Sequence, residues 1–297
     1  MSKSEPRPVI PGSPPAPSGG RPAGVDTHAH IFRRGLPLAA GRRYAPDYDA
    51  PLGDFLRQLD ANGIACGVLV QPSFLGTDNS YLLAALKEQP ERLRGIVVVE
   101  PTVSADELAT LAAAGVVGIR LNLVGANLPD LRVGPWPGFL ERLARLDWLV
   151  DVQREARDLS LVVTPLLAAG VKVVVDHFGR PDPRLGIEDP GFRSLLAVAA
   201  TRRVWVKLSG AYRNGAGAVG EALAAAAADR LLAAFGTDRL LWGSDWPHTQ
   251  FESVVTYPAV RAQCDRWVPH GGDRLAILGE TPAALYRLGA PASPNRA

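Results

Sequence analysis

Gly24-Val-Asp-Thr-His-Ala-His30 is the stretch from which the fold and the site of this chain can be predicted. It predicts a short buried strand that ends in two histidines. Because side chains alternate along a strand, His28 and His30 point to the same side, with their Cα atoms about 6 to 7 Å apart. Two neutral imidazoles directed at one point can bind a metal ion or form hydrogen bonds to a substrate oxygen. The stretch therefore predicts a site at the carboxyl end of the first strand.

Seven further segments are short, rich in Val, Leu or Ile, and nearly continuous in apolar character. Such runs are typical of strands that are covered on both faces. These segments are Cys66–Ser73, Leu93–Pro101, Val116–Asn122, Leu149–Glu155, Lys172–Gly179, Val204–Gly210 and Leu240–Pro247. We therefore predict eight strands, of which Leu149–Glu155 has the weakest pattern because polar residues alternate with apolar ones.

Helix signals occupy the segments between these strands. Ser104-Ala-Asp-Glu107 matches a capping box. Thr164-Pro165 and Asp189-Pro190 each place a capping residue before a proline that suits a first helical turn. Further helices are predicted over Pro51–Ala65, Asp78–Gln89 and Glu221–Phe235, with one or two over Pro258–Leu288, the last opening at Thr281-Pro282.

Eight strands that alternate with helices indicate an α/β fold with a parallel sheet and right-handed crossovers. Eight such units over about 265 residues suit a single closed (β/α)8 TIM barrel better than an open, doubly wound sheet. A glycine-rich dinucleotide fingerprint follows none of the strands, which weakens the open-sheet alternative further. We predict that residues 23–290 form the barrel. Residues 1–22 contain seven prolines and are predicted to be a disordered N-terminal tail.

Composition excludes several classes of partner. The chain is 47% hydrophobic and 21% charged, and 32 basic and 30 acidic residues give a formal net charge of +2. This near-balance predicts neither nucleic acid nor a membrane surface as a partner. No run approaches the roughly 18 apolar residues of a membrane span. Cys66 and Cys264 are predicted to be core thiols in a reducing compartment. We expect a cytoplasmic location. We also expect a monomer or a small homo-oligomer.

Polar side chains cluster at the predicted strand ends, where the reactive residues of such barrels lie. Four of the five histidines of the chain fall there. The residues at the strand ends are His28 and His30, Gln71 and Ser73, Arg120 and Asn122, Asp176 to Arg180, Ser209 and Arg213, and Gly243 to His248. This clustering predicts one shared cavity at the carboxyl ends of the strands.

Three motifs carry a resemblance to a known family. Asp26-Thr-His-Ala-His30, Asp176-His-Phe-Gly-Arg-Pro181 and Gly243-Ser-Asp-Trp-Pro-His248 resemble motifs of the amidohydrolase superfamily. Within it, they are similar to the branch of barrel hydrolases that includes 2-pyrone-4,6-dicarboxylate lactonase and sugar-lactone hydrolases. The similarity extends from about Gly24 to Leu288.

The resemblance implies a hydrolase that opens the ring ester of a small carboxylated lactone. It implies that Asp245 is the general base that activates a water molecule, while His28, His30 and His177 polarise the carbonyl of the lactone. A carboxylate beside imidazoles can accept a proton from water and return it to the departing alkoxide. Donors directed at the developing oxyanion usually make the larger contribution to the rate.

Arginines at the strand ends are the predicted substrate-binding groups. Arg120, Arg180 and Arg213 are expected to bind an anion, because a guanidinium grips a carboxylate through two parallel hydrogen bonds. Ser73 and Tyr44 are expected to add neutral hydrogen bonds. The predicted partner is therefore a small anionic molecule.

The resemblance also raises the question of a metal, because amidohydrolases commonly use a histidine of the fifth strand as one ligand. Here that strand reads Asp151-Val-Gln153-Arg-Glu155 and contains no histidine. We therefore expect no obligatory metal. If a divalent ion such as zinc is bound, the expected ligands are His28, His30, Asp245 and His177.

Two departures from the lactonase pattern affect the expected substrate. Val124-Gly125-Ala126 stands where a second arginine would follow Arg120, and Gln153 stands where an aromatic hydroxyl would be expected. A lactone with one carboxylate or with hydroxyl groups is therefore at least as plausible as the pyrone dicarboxylate. The alternatives are a zinc-dependent decarboxylase for an aromatic or unsaturated acid, a sugar lactonase, and an inactive barrel that binds an acidic metabolite.

Simpler roles are also open for single residues. Asp245 could cap a following helix. His248 is expected to lie outside the catalytic set, and His270 is expected to be exposed. Trp205, Trp242 and Trp246 are predicted to be packing residues.

Overall fold

A computed structural model describes residues 24–289 of the chain. Eight parallel strands form one sheet in sequential order. The strands are β1 (Val25–Ala29), β2 (Cys66–Val70), β3 (Leu93–Val97), β4 (Val116–Asn122), β5 (Leu149–Gln153), β6 (Lys172–Val175), β7 (Val204–Leu208) and β8 (Leu240–Trp242). All eight predicted strands are confirmed, including the weakest, and the (β/α)8 barrel with them. The predicted tail at 1–22 lies outside the described residues, and the bounds of the barrel domain stay a prediction.

Helices connect the strands on the outside of the barrel. They are α1 (Leu52–Ala61), α2 (Ser80–Glu88), α3 (Ala105–Ala113), α4 (Trp136–Arg145), α5 (Ala156–Ala168), α6 (Pro190–Ala197), α7 (Gly217–Phe235), α8 (Tyr257–Trp267), α9 (Gly271–Leu275) and α10 (Thr281–Tyr286). None of the helices in this described part of the chain is long and apolar enough to cross a membrane.

The apolar core has two parts, one between the strands and the surrounding helices and one inside the barrel. The inner part contains Val25, Val68, Ile96 and Val174, with Tyr286 of α10 packed beneath them. Apolar residues thus fill the half of the barrel at the amino ends of the strands, called the lower half, while the polar residues of the strands lie toward the carboxyl ends. Trp205, Trp242 and Trp246 are all buried, as predicted.

Three predicted helix starts are confirmed and one is wrong. The side chain of Ser104 accepts a hydrogen bond from Glu107 N, and that of Asp189 accepts one from Gly191 N. Pro165 lies inside α5 instead of opening a helix. Pro165 has no N–H to donate to the carbonyl of Leu161, and Leu161 is on the exposed side of the helix, with 64% of its surface accessible.

Thr281-Pro282 opens α10, the last helix, as predicted, with Pro282 in its first turn. A π-helical segment, Ala276–Glu280, joins α9 directly to α10, so the chain is already helical when it reaches Thr281. The sequence pattern predicts no helix at α4. The first turn of α4 contains Pro137 and Gly138, and this pair usually indicates a turn.

The barrel closes between β8 and β1 through a side chain as well as through backbone. The Asp26 carboxylate accepts hydrogen bonds from Ser244 N at 2.8 Å, from Ser244 Oγ at 2.5 Å and from Tyr257 Oη at 3.0 Å. Backbone bonds continue this seam from Asp245 N to His28 O and from His30 N to Trp246 O, each 2.7 Å long. Burial raises the pKa of Asp26 to about 6, although its hydrogen bonds oppose that rise. The seam places the end of β1 directly beside the end of β8.

We predict that Tyr257→Phe lowers the free energy of unfolding by about 1 to 3 kcal/mol, because it removes a buried hydrogen bond to a carboxylate. Urea unfolding followed by circular dichroism measures the change. Tyr81→Phe is the matched control, because its hydroxyl accepts only an exposed bond from Arg33. Equal effects of the two substitutions would contradict a special contribution of Tyr257 to the seam.

Candidate active site

The candidate catalytic residues come together at the carboxyl end of the barrel. His28 Nε2 and His30 Nε2 each lie 3.8 Å from Asp245 Oδ1. The rings of His28 and His177 have their centroids 4.9 Å apart. All four side chains are buried. The ends of the first, sixth and eighth strands therefore converge around one point, as the sequence predicts.

Several of these residues have an uncommon backbone conformation. The φ angles of His177, Arg180, Asp245 and His248 are 52°, 50°, 61° and 64°. Left-handed φ values are unfavourable for residues other than glycine and concentrate at functional sites, where surrounding structure maintains them. The loops after β6 and β8 thus turn sharply to direct His177 and Asp245 into the cavity.

The two oxygens of Asp245 have different surroundings. Oδ2 accepts hydrogen bonds from Tyr212 Oη at 2.7 Å and from Arg213 Nε. Oδ1 is buried and has no hydrogen-bond partner in the described protein. Burial opposes ionisation, but Arg213 and the imidazoles outweigh it and lower the pKa of Asp245 below its ordinary value. Asp245 is therefore an ionised, fixed carboxylate that presents one free oxygen to His28 and His30. Because the next helix, α8, begins only at Tyr257, the helix-cap interpretation of Asp245 is wrong.

The three imidazoles are held through their Nδ1 atoms. His30 Nδ1 lies 2.6 Å from the carbonyl of Val70, and His177 Nδ1 lies 2.9 Å from Ser209 Oγ. Burial lowers the pKa of His28 and of His30 to about 3 and also lowers that of His177. All three rings are therefore neutral near pH 7, and the Nε2 atoms of His28 and His30 face Asp245 Oδ1.

Lys207 is a residue of the site that the sequence interpretation missed. It lies on β7, is fully buried, and places Nζ 2.5 Å from Asp151 Oδ2, 3.2 Å from Asp176 Oδ1 and 3.1 Å from His28 Nδ1. Burial alone would lower its pKa, but the two carboxylates outweigh burial and raise it. The signal was present, because a lysine inside a predicted buried strand requires a partner.

Tyr212 was also missed, and it links Asp245 to His248. The Tyr212 hydroxyl has one proton, which it donates to Asp245 Oδ2, and its oxygen lies 3.2 Å from His248 Nδ1. The side chain of His248 thus reaches the Asp245 carboxylate through Tyr212, while its backbone N–H donates to Asp245 O at 2.8 Å. His270 is exposed, as predicted.

The cavity at this point contains about 50 Å³ of free space. Two larger hollows lie away from the histidines: one of about 920 Å³ on the outside of α4 and α5, and one of about 610 Å³ beside Arg180. Arg120, Arg180, Arg213 and Tyr44 line the small cavity, as predicted, whereas Ser73 is not among its lining residues. Lining residues that were not predicted to bind substrate are Arg43, Asn122, Gln153 and Gln250.

The Arg120 guanidinium is held from two sides. It donates to Gln71 O at 2.9 Å and to Gln153 Oε1 at 2.7 Å, and its Nε has no partner. Gln153, which departs from the lactonase pattern, therefore orients this arginine. Part of the capacity of Arg120 to bind an anion is occupied by the protein itself.

Two groups among the described residues could hold a metal ion, and they divide the predicted ligand set. His28, His30 and Asp245 form one group, and His28, Asp176 and His177 form the other. Three ligands with an open fourth position suit catalytic zinc. His30 Nε2 and Asp245 Oδ1 fit as acceptors, but the Lys207 ammonium lies against the far nitrogen of His28 and opposes the tautomer that a metal needs there.

Comparison with known proteins identifies the family of this chain. The family model described as "Amidohydrolase" matches residues 25–288. The chain belongs to the amidohydrolase family. The motifs that carry this membership are the ones that surround the cavity, so the predicted resemblance is confirmed.

Several amidohydrolases similar to this chain are named as lactone hydrolases. A 2-pyrone-4,6-dicarboxylate hydrolase of Comamonas testosteroni is 36% identical over 284 residues, covering 89% of this chain and 90% of the relative. A 4-sulfomuconolactone hydrolase of Hydrogenophaga intermedia is 30% identical over 278 residues, with 89% of both proteins covered. A solved structure from Acinetobacter baumannii, named a probable 2-pyrone-4,6-dicarboxylic acid hydrolase with citric acid bound, is 40% identical. It has a TM-score of 0.87 and covers 90% of this chain and 100% of that one.

We predict that Gly210→Ala displaces the ring of His177. Gly210 has a φ of +59°, and a Cβ there would lie 2.9 Å from His177 Nδ1. The matched control is Gly170→Ala, at a φ of +79° with no atom within 4 Å of the added Cβ. Both should lose about 1 to 2 kcal/mol of stability from the left-handed backbone. Only Gly210→Ala should shift the NMR resonances of the His177 ring, and an unchanged His177 spectrum would contradict the predicted contact.

Proposed function

We propose that this protein hydrolyses the ring ester of a small carboxylated lactone. The observation that carries the proposal is the free Oδ1 of Asp245, which faces two imidazole Nε2 atoms at 3.8 Å in a buried cavity lined by arginines. A water molecule that donates a hydrogen bond to Oδ1 would lie next to the carbonyl carbon of a lactone bound beside the imidazoles. The lactone hydrolases among its relatives support this choice of reaction.

The reaction follows from the two oxygens of Asp245. Arg213 and Tyr212 hold Oδ2, so Oδ1 accepts the proton of the attacking water while the water oxygen bonds to the carbonyl carbon. The negative charge that develops on the carbonyl oxygen is stabilised by donors in the buried site. The ring C–O bond then breaks, and the proton on Asp245 passes to the departing oxygen. The product is an open-chain acid with a free hydroxyl or enol group.

The substrate is proposed to be anionic. Arg120, Arg180 and Arg213 line the cavity. With the Arg213 side chain in its present position, the cavity is too small for a whole lactone. A substrate carboxylate competes with Asp245 for the Arg213 guanidinium, and movement of that side chain makes room. Because Gln153 already engages Arg120, we propose a lactone with fewer acidic groups than a pyrone dicarboxylate.

We propose that a metal is not obligatory, because the neutral imidazoles and Asp245 supply a donor, acceptors and a base. If zinc is bound, His28, His30 and Asp245 would hold it, and it would act as a Lewis acid on the carbonyl. The zinc-dependent decarboxylase and the inactive binder are less well supported, since the relatives at 30% identity or more are named lactone hydrolases. The cytoplasmic location and the oligomeric state stay predictions.

We predict that Asp245→Asn reduces kcat for lactone hydrolysis by at least about 100-fold, because the amide cannot accept the proton of water. Release of acid from 2-pyrone-4,6-dicarboxylate and from muconolactones measures the rate. Ligand-induced stabilisation in thermal unfolding should persist, since the arginines remain. Asp265→Asn, on the exposed surface of α8, is the control. Undiminished turnover by Asp245→Asn would refute Asp245 as the base.

We predict that Arg120→Met raises KM by about 10-fold or more and changes kcat less, because Arg120 binds the anionic part of the substrate before and during the reaction. Initial rates over a range of lactone concentrations separate the two constants. Arg132→Met, at an exposed arginine paired with Asp130, serves as the control. A loss confined to kcat would argue against a binding role for Arg120.

A further inference from the structure

We propose that Lys207 is a positioning residue that keeps the proton of neutral His28 on Nε2. His28 then directs a donor toward the side of Asp245, whereas His30, which lines the cavity, presents an acceptor there. The assignment of the His28 donor to a lactone carbonyl rests on the proposed function. The placement of the proton rests only on the contacts of the two rings.

His28 Nδ1 has two polar neighbours at similar distances. Lys207 Nζ lies 3.1 Å away in hydrogen-bonding geometry. Asp176 Oδ1 lies 3.2 Å away, but it has no hydrogen-bond partner, because it is off the direction in which an N–H at Nδ1 would point. A proton on Nδ1 would therefore point at an ammonium group, donor against donor.

An ammonium group can only donate. Lys207 donates to Asp151 Oδ2 as well and lies 3.2 Å from Asp176 Oδ1, so two carboxylates keep it charged. His28 Nδ1 must then be the acceptor, and the single proton of the neutral ring is on Nε2. That nitrogen lies 3.8 Å from Asp245 Oδ1, so its N–H is on the side of the catalytic carboxylate.

His30 has the opposite arrangement. Its Nδ1 lies 2.6 Å from the Val70 carbonyl, which can only accept, so Nδ1 carries the proton. The neutral ring then exposes a lone pair at Nε2, and His30 suits the attacking water better than the carbonyl oxygen. The two histidines of one strand, which the sequence assigns the same role, thus have complementary roles.

The same contact bears on metal binding. A zinc ion needs lone pairs at His28 Nε2, His30 Nε2 and Asp245 Oδ1 at once. His30 and Asp245 provide theirs, but His28 can do so only when its proton moves to Nδ1, which Lys207 opposes. Removing Lys207 should therefore convert a donor into a metal ligand.

The test is long-range 1H–15N NMR of protein labelled with 15N-histidine, with signals assigned through His28→Gln and His30→Gln. Protonated and unprotonated ring nitrogens have well separated 15N shifts. We expect the His28 proton on Nε2 and the His30 proton on Nδ1 in the unsubstituted protein. A His28 proton on Nδ1 would overturn the inference without any variant of Lys207.

The variant is Lys207→Met combined with Asp151→Asn, which removes one positive and one negative charge and so keeps the buried charge balanced. We expect the His28 proton to move to Nδ1, because no ammonium group then faces that nitrogen. We also expect zinc to be retained after dialysis, measured by elemental analysis. Asp151→Asn alone keeps the ammonium and should keep the original tautomer. Lys172→Met, at a surface pair with Asp147, should change nothing.

Activity provides a separate readout. The double variant, assayed free of metal, should lose kcat by about 100-fold or more, as expected when one donor to the oxyanion is lost, with a smaller change in KM. If no lactone is hydrolysed but the tautomers are as expected, the proposed function fails and the role of Lys207 stands. If lactones are hydrolysed and the double variant keeps the His28 proton on Nε2, the role of Lys207 fails and the function stands.

Discussion

The closing seam between β8 and β1 is the constraint on which the site depends. Asp26 accepts hydrogen bonds from the backbone and side chain of Ser244, and the backbone of Asp245 bonds to that of His28. These bonds hold the ends of the two strands side by side, although Thr27 of β1 and Trp242 of β8 are 215 residues apart in sequence. Without them, Asp245 would not face the imidazoles of β1. The catalytic geometry is therefore a property of barrel closure as much as of the residues that react.

Charge in this site is arranged in two layers. The lower layer contains Lys207 with Asp151 and Asp176, inside the barrel and away from water. The upper layer contains Asp245 with Arg213, and the neutral imidazoles lie between the two. Buried charges are tolerated only when paired and hydrogen-bonded. Lys207 pairs with the two carboxylates of the lower layer and Arg213 with that of the upper one, although both oxygens of Asp176 and Oδ1 of Asp245 have no hydrogen-bond partner among the described residues.

Sequence patterns predicted the barrel well because apolar runs of strand length alternate with helix signals. They also predicted the convergence of His28, His177 and Asp245, since the ends of parallel strands meet at one rim. They did not predict the partners of those residues. Nothing in the spacing of Lys207 shows that its ammonium reaches His28, and nothing around Arg213 shows that it pairs with Asp245 instead of standing free. Such contacts depend on side-chain direction across the barrel, which a one-dimensional pattern does not contain. The misplaced start at Pro165 has a related cause, because solvent on the exposed face of α5 tolerates a proline that the local pattern places at a first turn.

The left-handed backbone at His177 and Asp245 has a consequence for how this site can evolve. Asn, Asp, His and Gly tolerate such φ values best, whereas β-branched residues do not. The backbone conformation therefore favours these few residue types at the two positions, independently of the substrate. Unless glycine takes one of these positions, a lineage that abandons the present chemistry would retain polar side chains that can bind a metal or a substrate, and so would remain a short mutational distance from another reaction.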